Sequence, residues 1–151
     1  MTFLDRLAPT DVHLDVDAKS AQEALAFLAT KAAAHGGAAV AFTEALTSRE
    51  KLGSTGLGRG VALPHAIVPG LDAPILQFAR LAAPIDFAAP DGEPVDIFLM
   101  LLVPEQAGGE KLKSLSACAR SLRRDACVAG LRAATEVSAV LSILQAPEPS
   151  A

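Results

Sequence analysis

The chain has 151 residues, a net charge of −4 and a pI of about 5.3, which is enough for one domain with a sizeable core and too acidic for a protein built mainly to hold nucleic acid. With 51% hydrophobic and 20% charged residues it is too apolar to be disordered, yet its longest apolar run, Ile97–Val103, stops at Pro104, short of the ~18 to 20 residues of a membrane-spanning helix. Trp and Tyr, on which bases would stack, are absent; the start Met1–Arg6 has no secretory pattern; Cys118 and Cys127 read as reduced thiols of a cytoplasmic protein rather than a disulfide framework.

Residues 1–10 read as a loosely attached lead-in. Val12, Leu14 and Val16 alternate with polar residues and predict a short strand, with His13 on its solvent face. Ser20, with Glu23 three residues on, caps a helix that Gly36-Gly37 ends, and His35 stands in its last turn. A second helix is expected over Val40–Leu52, its core side made by Phe42, Ala45 and Leu46. Gly53–Gly60 follows, with four glycines in eight positions. Short strands are expected at Val61–Leu63 and Ile75–Leu81. A hairpin through Ile85–Phe87 and Asp91-Gly92 leads into Val95–Val103, whose unbroken apolar run suits a strand covered on both faces. Gly108-Gly109 opens a third helix with the stripe Leu112, Leu115, Ala119 and Leu122. Helical pieces near Ala126–Leu131 and Glu136–Leu144 follow, and a mobile tail over 146–151. The pattern is a single α/β domain over 11–145, a mixed β-sheet flanked by helices on both faces.

The Gly-rich segment fails both common nucleotide fingerprints. Arg59-Gly60 stands where a Walker A loop needs Lys-Ser/Thr, and Gly56, Gly58 and Gly60 read GxGxG rather than GxGxxG. On spacing alone it is equally a flexible connector. His65 follows Pro64, whose φ is fixed. A neutral imidazole, with an unperturbed pKa of ~6.5, is a competent nucleophile near neutral pH. Arg49 and Arg59 can fork onto phosphate oxygens, and Ser54 and Thr55 offer hydroxyls and main-chain N–H groups. The set matches what a phosphoryl acceptor needs. The plain reading is a half-buried histidine satisfied by hydrogen bonds. The three histidines have no zinc spacing, and no nucleophile elbow occurs. Asp15 with Asp17, and Asp86 with Asp91, read as solvated strand and turn residues. No cofactor or metal is expected.

The segment Thr47–His65, with Pro94-Val95-Asp96, Leu101–Pro104 and Leu112–Leu122, resembles the type-2 IIA domains of the bacterial phosphoenolpyruvate-dependent phosphotransferase system, and most closely their nitrogen-regulatory branch. The resemblance implies the fold of those domains. It also implies that His65 accepts a phosphoryl group from an HPr-like phosphocarrier, with Arg49 as the active-site arginine. Ser54, Thr55 and Arg59 would hold phosphate oxygens. Regulatory targets such as potassium-transport proteins or sensor kinases would read the phosphorylation state. Two positions depart from the family pattern. Ala66 stands where glycine is usual, and Lys111 stands where a second histidine is frequent. Lys111 is expected to face the phosphoryl site from the edge of its helix stripe, and Lys113 the solvent. A sugar-specific IIA component passing phosphate to a IIB domain, or a non-catalytic interaction module, are the other readings.

Overall fold

A computed structural model describes residues 3–147. In chain order the elements are β1 (Val12–Val16), α1 (Ala21–Ala32), α2 (Ala39–Lys51), β2 (Gly56–Gly58), β3 (Val61–Ala62), β4 (His65–Val68), β5 (Ile75–Ile85), β6 (Val95–Pro104), α3 (Gly109–Arg123), α4 (Asp125–Ala133) and α5 (Val137–Leu144). The strands form one mixed sheet in the order β1-β5-β6-β3-β2, with β4 also paired to β6. β1 runs parallel to β5, both β3 and β4 run parallel to β6, and β5 is antiparallel to β6.

The long apolar run becomes the central strand for the reason its composition suggested. Alternate side chains of β6 enter two separate cores. Phe98, Met100 and Leu102 pack with Leu25, Leu28, Phe42 and Leu46 of α1 and α2. Ile97, Leu99, Leu101 and Val103 pack with Cys118, Leu122, Leu131, Val140 and Leu144 of α3, α4 and α5. A strand wetted on neither face has no polar side to alternate with. The start of α1 is fixed as expected. The Ser20 hydroxyl accepts from Glu23 N at 3.1 Å, while the Glu23 carboxylate accepts from Lys19 N at 2.9 Å.

Several local expectations are corrected. The lead-in is not loose: Leu4 and Leu7 are buried in the α3–α5 core, and the Gln145 amide donates to the carbonyls of both, at 3.2 and 2.9 Å. The expected tail beyond residue 147 lies outside the described residues. The hairpin into β6 is present, with Ile85 paired to Val95, but its first arm is the end of β5, which runs on through Pro84 to Ile85 rather than stopping at Leu81. The stripe of α3 is rotated. Ser114, Cys118, Ser121 and Leu122 are buried while Leu112 is 71% exposed. His13 is half-buried rather than solvated, with its Nε2 at 2.8 Å from Gln77 Oε1. Gln77 in turn donates to the buried Asp11 carboxylate, which also accepts from His35.

Candidate functional site

Position 65 is built by a break in a strand. β3 and β4 both lie along β6, and between them Leu63 and Pro64 step out of regular pairing. The chain stays anchored there, with Leu101 N donating to Pro64 O at 2.9 Å and Leu63 N to Thr55 O at 3.0 Å. His65 opens β4 opposite Leu101. Paired residues share a sheet face, so His65 and Ile67 lie on the α3 side while Ala66 and Val68 enter the α1–α2 core. The Cβ of Ala66 is accommodated in that core.

The ring of His65 is half-buried, and its Nδ1 lies 2.8 Å from the Leu63 carbonyl oxygen. A carbonyl only accepts, so Nδ1 carries the proton and Nε2 the lone pair. Burial pushes the imidazole pKa below its ordinary value. The Leu63 carbonyl opposes this, while the positive charges of Arg49 and Lys111 push it further down. Thus two cations from opposite layers of the fold act on one neutral ring. Arg49 comes from the last turn of α2, and its Nη1 donates to Gly53 O at 2.9 Å. Lys111 comes from the first turn of α3. Lys113 pairs instead with Glu110, at 3.9 Å and in solvent.

The Gly-rich loop between α2 and β3 is held in place by its side chains. Glu50, beside Arg49, accepts from Thr55 N at 3.1 Å and from the Thr55 hydroxyl, and Thr55 is buried. The Ser54 hydroxyl donates to Phe87 O at 3.0 Å and accepts from Gly56 N at 3.1 Å. Arg59 does not join His65. Its guanidinium pairs with Asp125 and donates to Leu122 O at 3.0 Å, in a separate cleft lined also by Gly60, Asp96 and Arg132. The Ser54, Thr55 and Arg59 side chains are thus each engaged by protein groups, contacts that shape the loop. Gly60 has φ +80°, and a Cβ there would strike Arg132 Nη2 and approach Pro94 O to 3.3 Å. The positive φ and this crowding favour glycine there.

Sequence reasoning missed Glu50 and the residues of α3 that line the recess at His65, namely Leu115, Ser116, Ala119, Arg120 and Arg123. Steps of four from Lys111 reach Leu115, Ala119 and Arg123, and that spacing was the available signal. Among the described residues no three His, Cys, Asp or Glu side chains converge to hold a metal, and no helix is long and apolar enough to cross a membrane.

Comparison with known proteins gives the family and the fold. A family model described as "Phosphoenolpyruvate-dependent sugar phosphotransferase system, EIIA 2" matches residues 6–146. A nitrogen regulatory protein of Bradyrhizobium diazoefficiens is 42% identical over 152 residues, covering 100% of this chain and 99% of that one. A nitrogen regulatory protein of Pseudomonas aeruginosa is 46% identical over 101 residues, covering 67% of this chain and 66% of that one. The crystal structure of nitrogen regulatory protein IIA-Ntr from Neisseria meningitidis superposes with a TM-score of 0.89 at 34% identity, covering 93% of this chain and 97% of that one.

Proposed function

The chain belongs to the EIIA 2 family of the phosphoenolpyruvate-dependent sugar phosphotransferase system, and within that family we propose that it is a phosphoryl carrier whose acceptor is Nε2 of His65. The observation that carries this reading is the hydrogen bond from Nδ1 to the Leu63 carbonyl. It directs the lone pair to Nε2, and burial keeps the ring neutral at physiological pH. In the step itself, Nε2 attacks the phosphorus of a phosphohistidine on an HPr-like phosphocarrier. The new N–P bond forms as the donor N–P bond breaks, and its electron pair returns to the donor imidazole. Such a transfer needs alignment and charge stabilisation more than covalent help from the protein. Arg49 and Lys111 supply positive charge on either side of the incoming phosphoryl group. Leu52, Ile67 and Leu112 are exposed apolar residues near these three in sequence, and they suit a docking surface for a protein donor.

The names of the relatives speak of nitrogen regulation, and the family resemblance extends the reading further. The phosphorylation state of His65 signals nitrogen, carbon or potassium status to regulatory targets such as potassium-transport proteins or sensor kinases. Incubation with phosphoenolpyruvate, enzyme I and the cognate carrier is the test. One phosphate per chain is expected, labile in acid and stable in base. A phosphate that forms on a residue other than His65 would overturn the assignment.

A further inference from the structure

Glu50 lies in the last turn of α2, where the negative end of the helix dipole disfavours a carboxylate. Its contacts lead out of the helix. One carboxylate oxygen accepts from Thr55 N at 3.1 Å and the other from the Thr55 hydroxyl. Thr55 is buried. One residue beyond the β2–β3 pair Gly56–Ala62, its carbonyl accepts from Leu63 N at 3.0 Å. The Leu63 carbonyl in turn meets His65 Nδ1 at 2.8 Å. One run of hydrogen bonds therefore joins α2 to the imidazole. It crosses the gap where Leu63 and Pro64 stand between β3 and β4. Pro64 has no N–H with which to anchor that gap. The buried Leu63 side chain fixes where the residue sits. The aim of its carbonyl is set by what holds the two ends of the step. Pro64 O is held by Leu101 N of the central strand. Leu63 N is held by Thr55, and Thr55 by Glu50. The helix behind Glu50 is a firm base, because its Phe42 and Leu46 are buried in the α1–α2 core.

We propose that Glu50 is a positioning residue for His65: through Thr55 and Leu63 it aims the carbonyl that keeps the imidazole proton on Nδ1 and the lone pair on Nε2. It acts by geometry, with both carboxylate oxygens engaged by Thr55. Without it the Leu63 carbonyl turns from its line to Nδ1, and the neutral ring divides between its two tautomers. A ring with its proton on Nε2 has no lone pair there to offer. Only the consequence for phosphoryl transfer rests on His65 being the acceptor. The control of the tautomer does not.

The imidazole ¹⁵N signals of the full chain, read by NMR well above the ordinary histidine pKa of ~6.5, report the tautomer directly. The native ring should carry its proton on Nδ1. Glu50→Ala should lower the ratio of the Nδ1–H to the Nε2–H form by about 5-fold, the worth of one ordinary hydrogen bond. Thr55→Val keeps the N–H contact and loses the hydroxyl one, so it should shift the ratio the same way by less. Glu50→Gln should restore the native ratio, because its amide oxygen can accept from Thr55 N while its NH₂ donates to the reoriented hydroxyl. The rings of His13 and His35 serve as controls and should keep their signals, whereas a general loss of structure would move all three. An unchanged His65 tautomer in both Glu50→Ala and Thr55→Val would overturn the proposal. So would a Glu50→Gln that behaves like Glu50→Ala, since the charge and not the geometry would then be acting. In a second arm, Glu50→Ala should slow phosphorylation by the carrier by roughly 10- to 100-fold, the range for a misaligned reacting group. Slowed transfer with a native tautomer, or native transfer with a shifted one, would overturn the link between the two. Failure of the carrier to phosphorylate the native chain at His65 would instead overturn the acceptor reading and leave the tautomer result standing.

Discussion

His65 differs from the other two histidines in what its ring nitrogens meet. His13 Nε2 is committed to Gln77 and His35 Nε2 to the buried Asp11. The ring of His65 is fixed through Nδ1 by a backbone carbonyl, which leaves Nε2 for chemistry. His65→Ala should therefore abolish phosphorylation by the carrier with the far-UV circular dichroism unchanged, while His13→Ala and His35→Ala should still label. The lowered pKa has a testable sign. In an NMR titration His65 should lose its proton at a midpoint below the ordinary ~6.5. Lys111→Gln and Arg49→Gln should each move that midpoint up, because each removes a positive charge that disfavours the imidazolium. Since the folded chain holds this proton less tightly than the unfolded chain, the contribution to stability is full above pH ~6.5 and is lost as pH falls through the folded value. Lys111 and Lys113 give a paired test of the site's field. Lys111→Ala should shorten the lifetime of phospho-His65, more so at low salt, whereas Lys113→Ala, which removes only a solvated partner of Glu110, should not. Equal effects would mean that the two charges act only through the net charge of the molecule.

At the scale of elements, the loop between α2 and β3 is the part that aligns the site. Thr55 gives both its N–H and its hydroxyl to Glu50, which ties the C-terminal turn of α2 to the entry to β2. Thr55→Val removes a hydroxyl donor from the half-buried Glu50 carboxylate and should cost about 0.5 to 1.5 kcal/mol, seen as a fall of ~2 to 4 °C in Tm for each kcal/mol lost. Arg49→Ala removes an exposed hydrogen bond to Gly53 O and should change Tm little, while slowing phosphoryl transfer by roughly 10- to 1,000-fold. A large loss of stability with an unchanged rate would make Arg49 a loop clasp only. Much of this arrangement was legible in the chain. Ser20 with Glu23 marked the start of α1, and the run Ile97–Val103 marked β6, because capping and double burial leave local signatures. β2 and β4 did not show. β2 is Gly-Leu-Gly, with no alternation to read, and β4 is four residues that become a strand only by pairing with Leu101–Pro104. Leu112 misled for a related reason. An apolar residue in helical register implies burial, but the neighbouring layer meets Ser114 and Cys118 instead. At the site, His65 and Arg49 were readable from motif and residue chemistry. The partners of Arg59, some 66 residues away in sequence at Asp125, were set by the tertiary fold alone.

For the whole molecule, one sheet divides two cores, and both cysteines belong to the core beneath α3 and α4. Burial pushes the Cys118 thiol up to about 12, and raises that of Cys127 against the opposing charge of Arg124. Neither thiol should react rapidly with a thiol-specific reagent at pH 8 in the native state, and both should react in one phase on global unfolding. Fast native labelling of Cys118 would mean that α3 opens locally. The sheet also imposes an order on events at the ribosome. β3, β4 and β5 all pair with β6, so none of them has that partner until residues 95–104 have been made. Leu4 and Leu7 wait longer still, for Gln145 and the last helix. His65 gains its register from Leu101, a residue synthesised 36 positions later. During vectorial synthesis the nascent chain therefore emerges with the His65 segment unpaired, and its register is set only after β6 has been made. If His65 is the acceptor proposed above, phosphorylation would then report finished molecules.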